Sequence, residues 1–183
     1  RMASVLQDYD RVLKQRNALL KSARARGVKG DGLSTLDVWD DKLVTLGAQV
    51  IEARLRLADD LATPVADAYT AIAGADHRPR LQWALSVEGG DPEEDETGSE
   101  SAVSATPIAD QFRNALAARR TAELERGVTL VGPHRDDLVL KVRGLPVKGY
   151  ASHGESWSVA LSLRLASAEL LRADSLLGDP VLI

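Results

Sequence analysis

The chain has 183 residues, 44% of them apolar, which suffices for a packed core and argues against wholesale disorder. It has no cysteine, so a disulfide scaffold, a thiol nucleophile and thiolate metal sites are excluded, and no apolar run approaches the roughly 20 residues that span a bilayer. The net charge of −4 is set by one segment: Glu88 to Glu100 holds seven acids and no base, and the remainder stands at +3.

The sequence opens at Arg1-Met2 inside a helical pattern and stops at Asp179-Pro180-Val181-Leu182-Ile183, which reads as the first half of a buried strand. A natural chain rarely ends there, so an interior piece of a longer protein is expected. Over residues 1–24, Val5, Leu6, Tyr9, Val12, Leu13, Leu19 and Leu20 mark one face of an amphipathic helix. Three glycines between Gly27 and Gly32 break it. Ser34 or Thr35 then caps a long second helix, with Asp37 placed as in a capping box. Its apolar seam runs Leu36, Trp39, Leu43, Leu46, Val50, Ala53 and Leu57 in heptads, then lengthens to Leu61, Val65, Ala68 and Ile72. Thr63-Pro64 marks a kink or restart. The pattern predicts two or three helices packed as a short antiparallel arm.

Leu81, Trp83, Leu85 and Val87 alternate with polar or small neighbours, which predicts a half-buried strand. Glu88–Ser104 is rich in Gly, Ser and Glu and reads as a solvated, mobile loop. Ile108, Phe112, Leu116, Arg119 and Leu124 build another helix. Val128–Val131 and Leu138–Val142 are predicted strands, and Gly144-Leu145-Pro146 turns the chain. After Ser152, the residues Trp157, Leu161, Leu165, Ala168 and Leu171 form a strong helical face. A helical arm followed by an α/β lobe is the fold these patterns imply.

Two places can carry chemistry. Ser152-His153-Gly154-Glu155 opens the last helix, where a serine cap, a glycine and the free N–H groups of a first turn make an anion site. The same residues also make an ordinary cap, which is the commoner use of Ser-x-Gly-Glu. Gly132-Pro133-His134-Arg135-Asp136-Asp137 is either a tight turn with its acids on backbone N–H groups or a loop presenting His134 and Arg135 to a phosphate or partner. His77, His134 and His153 have no i, i+4 pairing, so a zinc site is not expected. The Gly-x-x-x-x-Gly-Lys-[Ser/Thr] phosphate loop is absent, so no P-loop hydrolysis and no catalytic residue is assigned to this chain.

Three stretches carry a family resemblance: Arg16-Asn17-Ala18-Leu19-Leu20-Lys21, Val131-Gly132-Pro133-His134-Arg135-Asp136-Asp137-Leu138, and Gly149-Tyr150-Ala151-Ser152-His153-Gly154-Glu155. They resemble RecF, a family of bacterial recombination-repair ATPases related to the SMC-type ABC ATPases. Gly178-Asp179-Pro180-Val181-Leu182-Ile183 resembles the approach to the Walker B strand. The similarity covers essentially the whole chain except Glu88–Ser104, where actinobacterial-looking forms carry an insert. The signature stretch departs from the family's commoner Ser-Gln-Gly-Gln by having His153 and Glu155.

The resemblance implies an α/β fold with a helical arm, part of an ABC-type ATPase head (lobe II) with an antiparallel helical subdomain. The arm would occupy 1–80, a strand returning to the head 81–87, an acidic insert 88–106, and lobe II with its signature loop 107–183. It implies ATP and Mg2+ bound by the full-length protein, which is expected to be a weak DNA-dependent ATPase, while this chain, lacking Walker A and Walker B, is inactive alone. Ser152, His153, Gly154 and Glu155 would contact nucleotide in trans, across an ATP-dependent homodimer. His134, Arg135 and Asp136 would serve the interface or nucleotide-linked contacts. The implied partners are gapped or single-strand/double-strand junction DNA, RecR and RecO, with RecA loaded in DNA repair, recombination and the SOS response in the cytoplasm. Another SMC-like ABC head, or a non-enzymatic helical interaction module, are the alternatives.

Overall fold

The computed structural model describes residues 2–27, 34–89 and 106–174. The acidic stretch beyond Gly89 and the expected terminal strand at 179–183 lie outside the described residues. The elements in order are α1 (Met2–Ala25), α2 (Ser34–Ala73), β1 (Arg80–Ala84), a 3-10 turn (Ser86–Glu88), α3 (Ile108–Arg126), β2 (Asp137–Val142), β3 (Leu145–Pro146), the single turn α4 (Val147–Tyr150) and α5 (His153–Asp174). The chain forms two compact units whose boundaries fall after Arg54, after Trp83 and after Asp137.

The first unit contains α1, α2 as far as Arg54, the 3-10 turn, α3 and the loop up to Asp137. Tyr9, Val12, Arg16, Leu20 and Ala23 form the buried stripe of α1, at the spacing of one helical face. Leu20 and Ala23 of α1 cluster with Leu36 of α2 and Leu124 of α3. At the other end, Gly47 of α2 lies against Phe112 of α3, and a Cβ there would collide with the Phe112 ring and sit 3.1 Å from Tyr9. These two layers of contact fix the directions: α2 runs antiparallel to both α1 and α3. Full burial of Phe112 contributes about 2–3 kcal/mol.

Helix α2 is 40 residues long and continues through Pro64 rather than restarting there. Its buried face departs from the expected seam. Leu36, Leu43, Val50, Leu61 and Val65 are buried as expected, but Leu57 and Ile72 are exposed, and Val44, Ala48, Ile51 and Tyr69 are buried instead. A straight helix turns off a heptad repeat by about 20° every seven residues, so a fixed 3.5 seam cannot stay on one side over this length.

In the second unit, Leu61 and Val65 of α2 pack with Ala166 of α5 and with Leu81, Leu163 and Leu170 around them. A neighbouring cluster joins Tyr69, Val142 and Val159, flanked by Ala73, Leu140 and Val147. The sheet order is β1-β2-β3. β2 and β3 are antiparallel, with Lys141 opposite Pro146 and Val142 opposite Leu145. The turn between them is therefore Arg143-Gly144, with φ of +55° and +82°. Two left-handed residues in a two-residue loop match the right-handed twist of the strands. The chain thus turns one residue earlier than expected, and Leu145-Pro146 is strand.

Two further expectations are corrected. Residues 128–131 are not a strand: Thr129 and Val131 are buried, but the backbone there bonds to side chains. On α5 the face named from the sequence is the open one. Trp157 is 74% exposed, and Leu161, Leu165 and Leu171 are exposed as well, whereas Val159, Ser162 and Ala166 are buried. Both faces of this helix carry apolar residues, so periodicity alone does not choose between them.

Candidate functional site

The Gly132–Asp137 loop belongs to the first unit and is anchored from several sides. Arg135 N–H donates to the Gly132 carbonyl at 2.8 Å, closing the turn. Gly132 has φ +124°, and a Cβ on it would lie 2.6 Å from both the Phe112 ring and the Tyr9 hydroxyl. Only glycine fits. Asp136 Oδ1 accepts from the Ser86 N–H and hydroxyl, each at 2.8 Å. Arg54 Nη1 donates to the Pro133 carbonyl at 2.6 Å.

His134 uses both ring nitrogens. Nε2 lies 3.3 Å from the Thr129 carbonyl, which can only accept, so Nε2 carries the proton. Nδ1 is then the acceptor for the Tyr9 hydroxyl at 2.8 Å. Loss of hydration pushes the His134 pKa down to about 4, with the charges of Arg135 and Arg16 acting in the same direction. The ring is therefore neutral at neutral pH even though part of the residue is exposed. Burial raises the Asp136 carboxyl, against the pull of the Ser86 hydrogen bonds. Arg135 Nε and Asp136 Oδ2 are buried without a hydrogen-bond partner among the described residues.

Beneath this loop lies a charged network that sequence reasoning did not anticipate. Arg16 is fully buried and donates to Asp40 (2.6 Å), Thr129 Oγ1 (2.8 Å) and Glu123 (2.6 Å). The second Glu123 oxygen accepts the Leu130 N–H at 2.7 Å. Asn17 Oδ1 accepts from both the N–H and the hydroxyl of Thr129, at 2.8 and 2.7 Å. Burial raises the Glu123 carboxyl while Arg16 and the Leu130 N–H pull it back. A guanidinium with no solvent contact needs its anion, so the pair is ionised. Arg16-Asn17 thus holds the segment leading into the loop. The signal was present, since Arg16 falls on the buried stripe four residues from both Val12 and Leu20.

The second candidate, Ser152–Glu155, belongs to the second unit at the start of α5. Ser152 and Glu155 form a reciprocal cap. The Glu155 N–H donates to Ser152 Oγ at 3.3 Å, and the Ser152 N–H donates to Glu155 Oε2 at 2.9 Å. The Ser152 hydroxyl also donates to Oε2, at 2.8 Å. The Ser152 N–H, then its hydroxyl, hold the Glu155 pKa below the usual carboxylate range, with Arg143 assisting. Arg143 Nη2 is 3.0 Å from Glu155 Oε1 and 3.1 Å from His77 Nε2. His77 Nδ1 lies 3.1 Å from the Tyr69 hydroxyl.

His153 and Gly154 are exposed, and a Cβ on Gly154 would meet nothing within 4 Å. Unlike Gly132, Gly154 is not required by packing or by a left-handed backbone. Their N–H groups stand in the first helical turn, where no intrahelical acceptor exists and the helix dipole favours an anion. The arrangement can donate several hydrogen bonds to an oxyanion that comes close to the backbone. Among the described residues no group of three or more metal-ligating side chains occurs.

A solved RecF–ATPrS structure of the recombination mediator in the RecFOR pathway superimposes with a TM-score of 0.78 at 25% identity, covering 95% of this chain and 43% of that one. A RecF–ATP structure matches with a TM-score of 0.77 at 26% identity, covering 98% and 44%. The fold is that of an ABC-type ATPase head segment with a helical arm. No family model matches the chain. The DNA replication and repair protein RecF of Clavibacter sepedonicus is 58% identical over the whole chain, and that of Leifsonia xyli 56% identical. Over its whole length the chain is similar to RecF DNA replication and repair proteins, and it spans about half (47% and 48%) of the length of these relatives.

Proposed function

We propose that the chain supplies the helical arm (1–80) and the signature-bearing lobe (107–183) of a RecF-type repair ATPase, and that Ser152 and Gly154 cap ATP held by a second copy. Ser152 would give its hydroxyl, and Gly154 its N–H, to the γ-phosphate. His153 and Glu155 would line the same interface, and His134, Arg135 and Asp136 would serve interface or nucleotide-linked contacts. ATP would arrive with Mg2+ and supply the charge that draws two heads together. The observation that carries this reading is Gly154: an exposed glycine in a helical turn, with open space where its side chain would be. Glycine is a poor helix former, so its presence fits a backbone that something must approach closely.

ATP-driven dimerisation would then build the DNA-binding surface. A chain with net charge −4 is poorly suited to neutralise DNA phosphates alone, and pairing two copies pools their basic faces. The expected substrate is gapped or junction DNA, with RecR and RecO as partners in loading RecA in the cytoplasm. The reading fails if the full-length monomer binds duplex DNA equally well without nucleotide. The direct test is sedimentation of the full-length protein with and without ATP, for wild type and Ser152→Arg. Dimerisation of the wild type alone supports the trans contact. Equal dimerisation of both leaves Ser152 and Glu155 as a helix cap, the second reading that their reciprocal hydrogen bonds favour.

A further inference from the structure

Glu155 occupies the Ser152 donors, among them the hydroxyl that a phosphate would need. One carboxylate oxygen, Oε2, takes both the N–H and the hydroxyl of Ser152, at 2.9 and 2.8 Å, while Oε1 takes Arg143 Nη2 at 3.0 Å. A serine hydroxyl has one proton to donate, so Ser152 cannot serve the carboxylate and a phosphate together. A carboxylate in hydrogen-bond contact with Ser152 also repels an anion arriving at the same place.

We propose that Glu155 is a resident competitor at the signature turn, and that capping of a phosphate requires its carboxylate to leave Ser152 and swing onto Arg143. Arg143 is placed to receive it. Its backbone is left-handed at the β2–β3 turn, with φ +55°, a conformation that L side chains rarely adopt. It is held there by its N–H bond to the His77 carbonyl at 2.7 Å. The Arg143 side chain is 57% exposed, and its guanidinium can present two N–H groups to both carboxylate oxygens, the arrangement guanidinium and carboxylate favour. His77 limits the swing on the other side: its Nε2 accepts from Arg143 Nη2 at 3.1 Å, and its Nδ1 meets Tyr69 of α2 at 3.1 Å. Nucleotide capping is thereby tied to a contact on the long helix within the same unit. The proposal rests on the trans-phosphate reading of Ser152 and Gly154.

The test is sedimentation of the full-length protein over a series of ATPγS concentrations, for wild type, Ser152→Arg, Glu155→Gln, Arg143→Gln and the Glu155→Gln/Arg143→Gln double variant. Glutamine keeps the cap, since it serves as well as glutamate in this motif. The expected result is half-maximal dimerisation of Glu155→Gln at about tenfold lower nucleotide, as for loss of one close like charge. Arg143→Gln should need several-fold more nucleotide than wild type, and this penalty should vanish in the double variant, because Arg143 acts through Glu155. If Ser152→Arg abolishes dimerisation but Glu155→Gln is no tighter than wild type, the competitor is overturned and the trans contact stands. If Arg143→Gln is equally harmful with glutamine at 155, Arg143 does not act by receiving Glu155 and the swing is overturned. If Ser152→Arg dimerises as wild type does, both readings fall.

Discussion

His134 and Gly154 show how much one residue's surroundings decide. The His134 ring has an ordinary pKa of 6.5 and is held at about 4 in the fold. Between those values the unfolded chain binds a proton that the folded chain refuses, so stability falls as pH drops from about 6.5 to about 4. Urea unfolding at pH 7 and pH 5 should show a larger loss for wild type than for His134→Gln, which has nothing to titrate in that window. The two glycines make an opposed pair. Gly132→Ala should destabilise by about 2 kcal/mol or more, because its Cβ meets Phe112 and the Tyr9 hydroxyl at 2.6 Å and its φ is +124°. Gly154→Ala should leave thermal unfolding unchanged or raise stability by up to about 1 kcal/mol, yet weaken ATP-driven dimerisation of the full-length protein. The sequence places both glycines within candidate motifs; only the contacts show that one is needed by the fold and the other is not.

At the scale of elements, one arginine joins α1, α2, α3 and the segment before the Gly132–Asp137 loop. Its three donors point to three separate partners: Nε to Asp40, Nη1 to Thr129 and Nη2 to Glu123. Arg16→Met should cost about 3–5 kcal/mol, because Glu123 is left charged and fully buried. Arg16→Lys should recover only part of this, since a single ammonium cannot span a forked set of acceptors. Chemical denaturation of the two variants and of Arg16→Met/Glu123→Gln checks the account: the double variant should be more stable than Arg16→Met alone. The helices themselves were legible. α1, α2, α3 and α5 fall where the 3.6-residue periodicity predicts them, and β2 lies where alternation predicts a strand, whereas the strand expected through Val87 ends at Ala84 and passes into a 3-10 turn at Ser86–Glu88. The segment 128–131 misled because Val128, Leu130 and Val131 satisfy a strand pattern, whereas Asn17 and Glu123 claim the backbone N–H groups of Thr129 and Leu130.

For the whole molecule, the open apolar face of α5 gives a direct readout of assembly. Trp157 is 74% exposed and stands two residues beyond Glu155 on the same helix. If ATP brings a second copy onto the signature turn, Trp157 should become shielded. Iodide quenching of tryptophan fluorescence in the full-length protein should therefore decrease on adding ATPγS, and Trp157→Phe should remove most of that decrease. An unchanged quenching constant in a demonstrated dimer would place the interface elsewhere.

Most of the helices, two of the strands and the family resemblance are legible in the residues alone. Side-chain periodicity is a local property of the chain, and the Gly-Pro-His-Arg-Asp-Asp and Ser-His-Gly-Glu runs are contiguous, so both can be read without coordinates. Which face of α5 is buried, which partners Arg16 reaches at Glu123 and Thr129, and that Arg143 meets Glu155 emerge only when the chain folds. Each of these depends on residues far apart in the chain arriving at one place. A buried charge in particular becomes tolerable only once its counter-charges arrive with it.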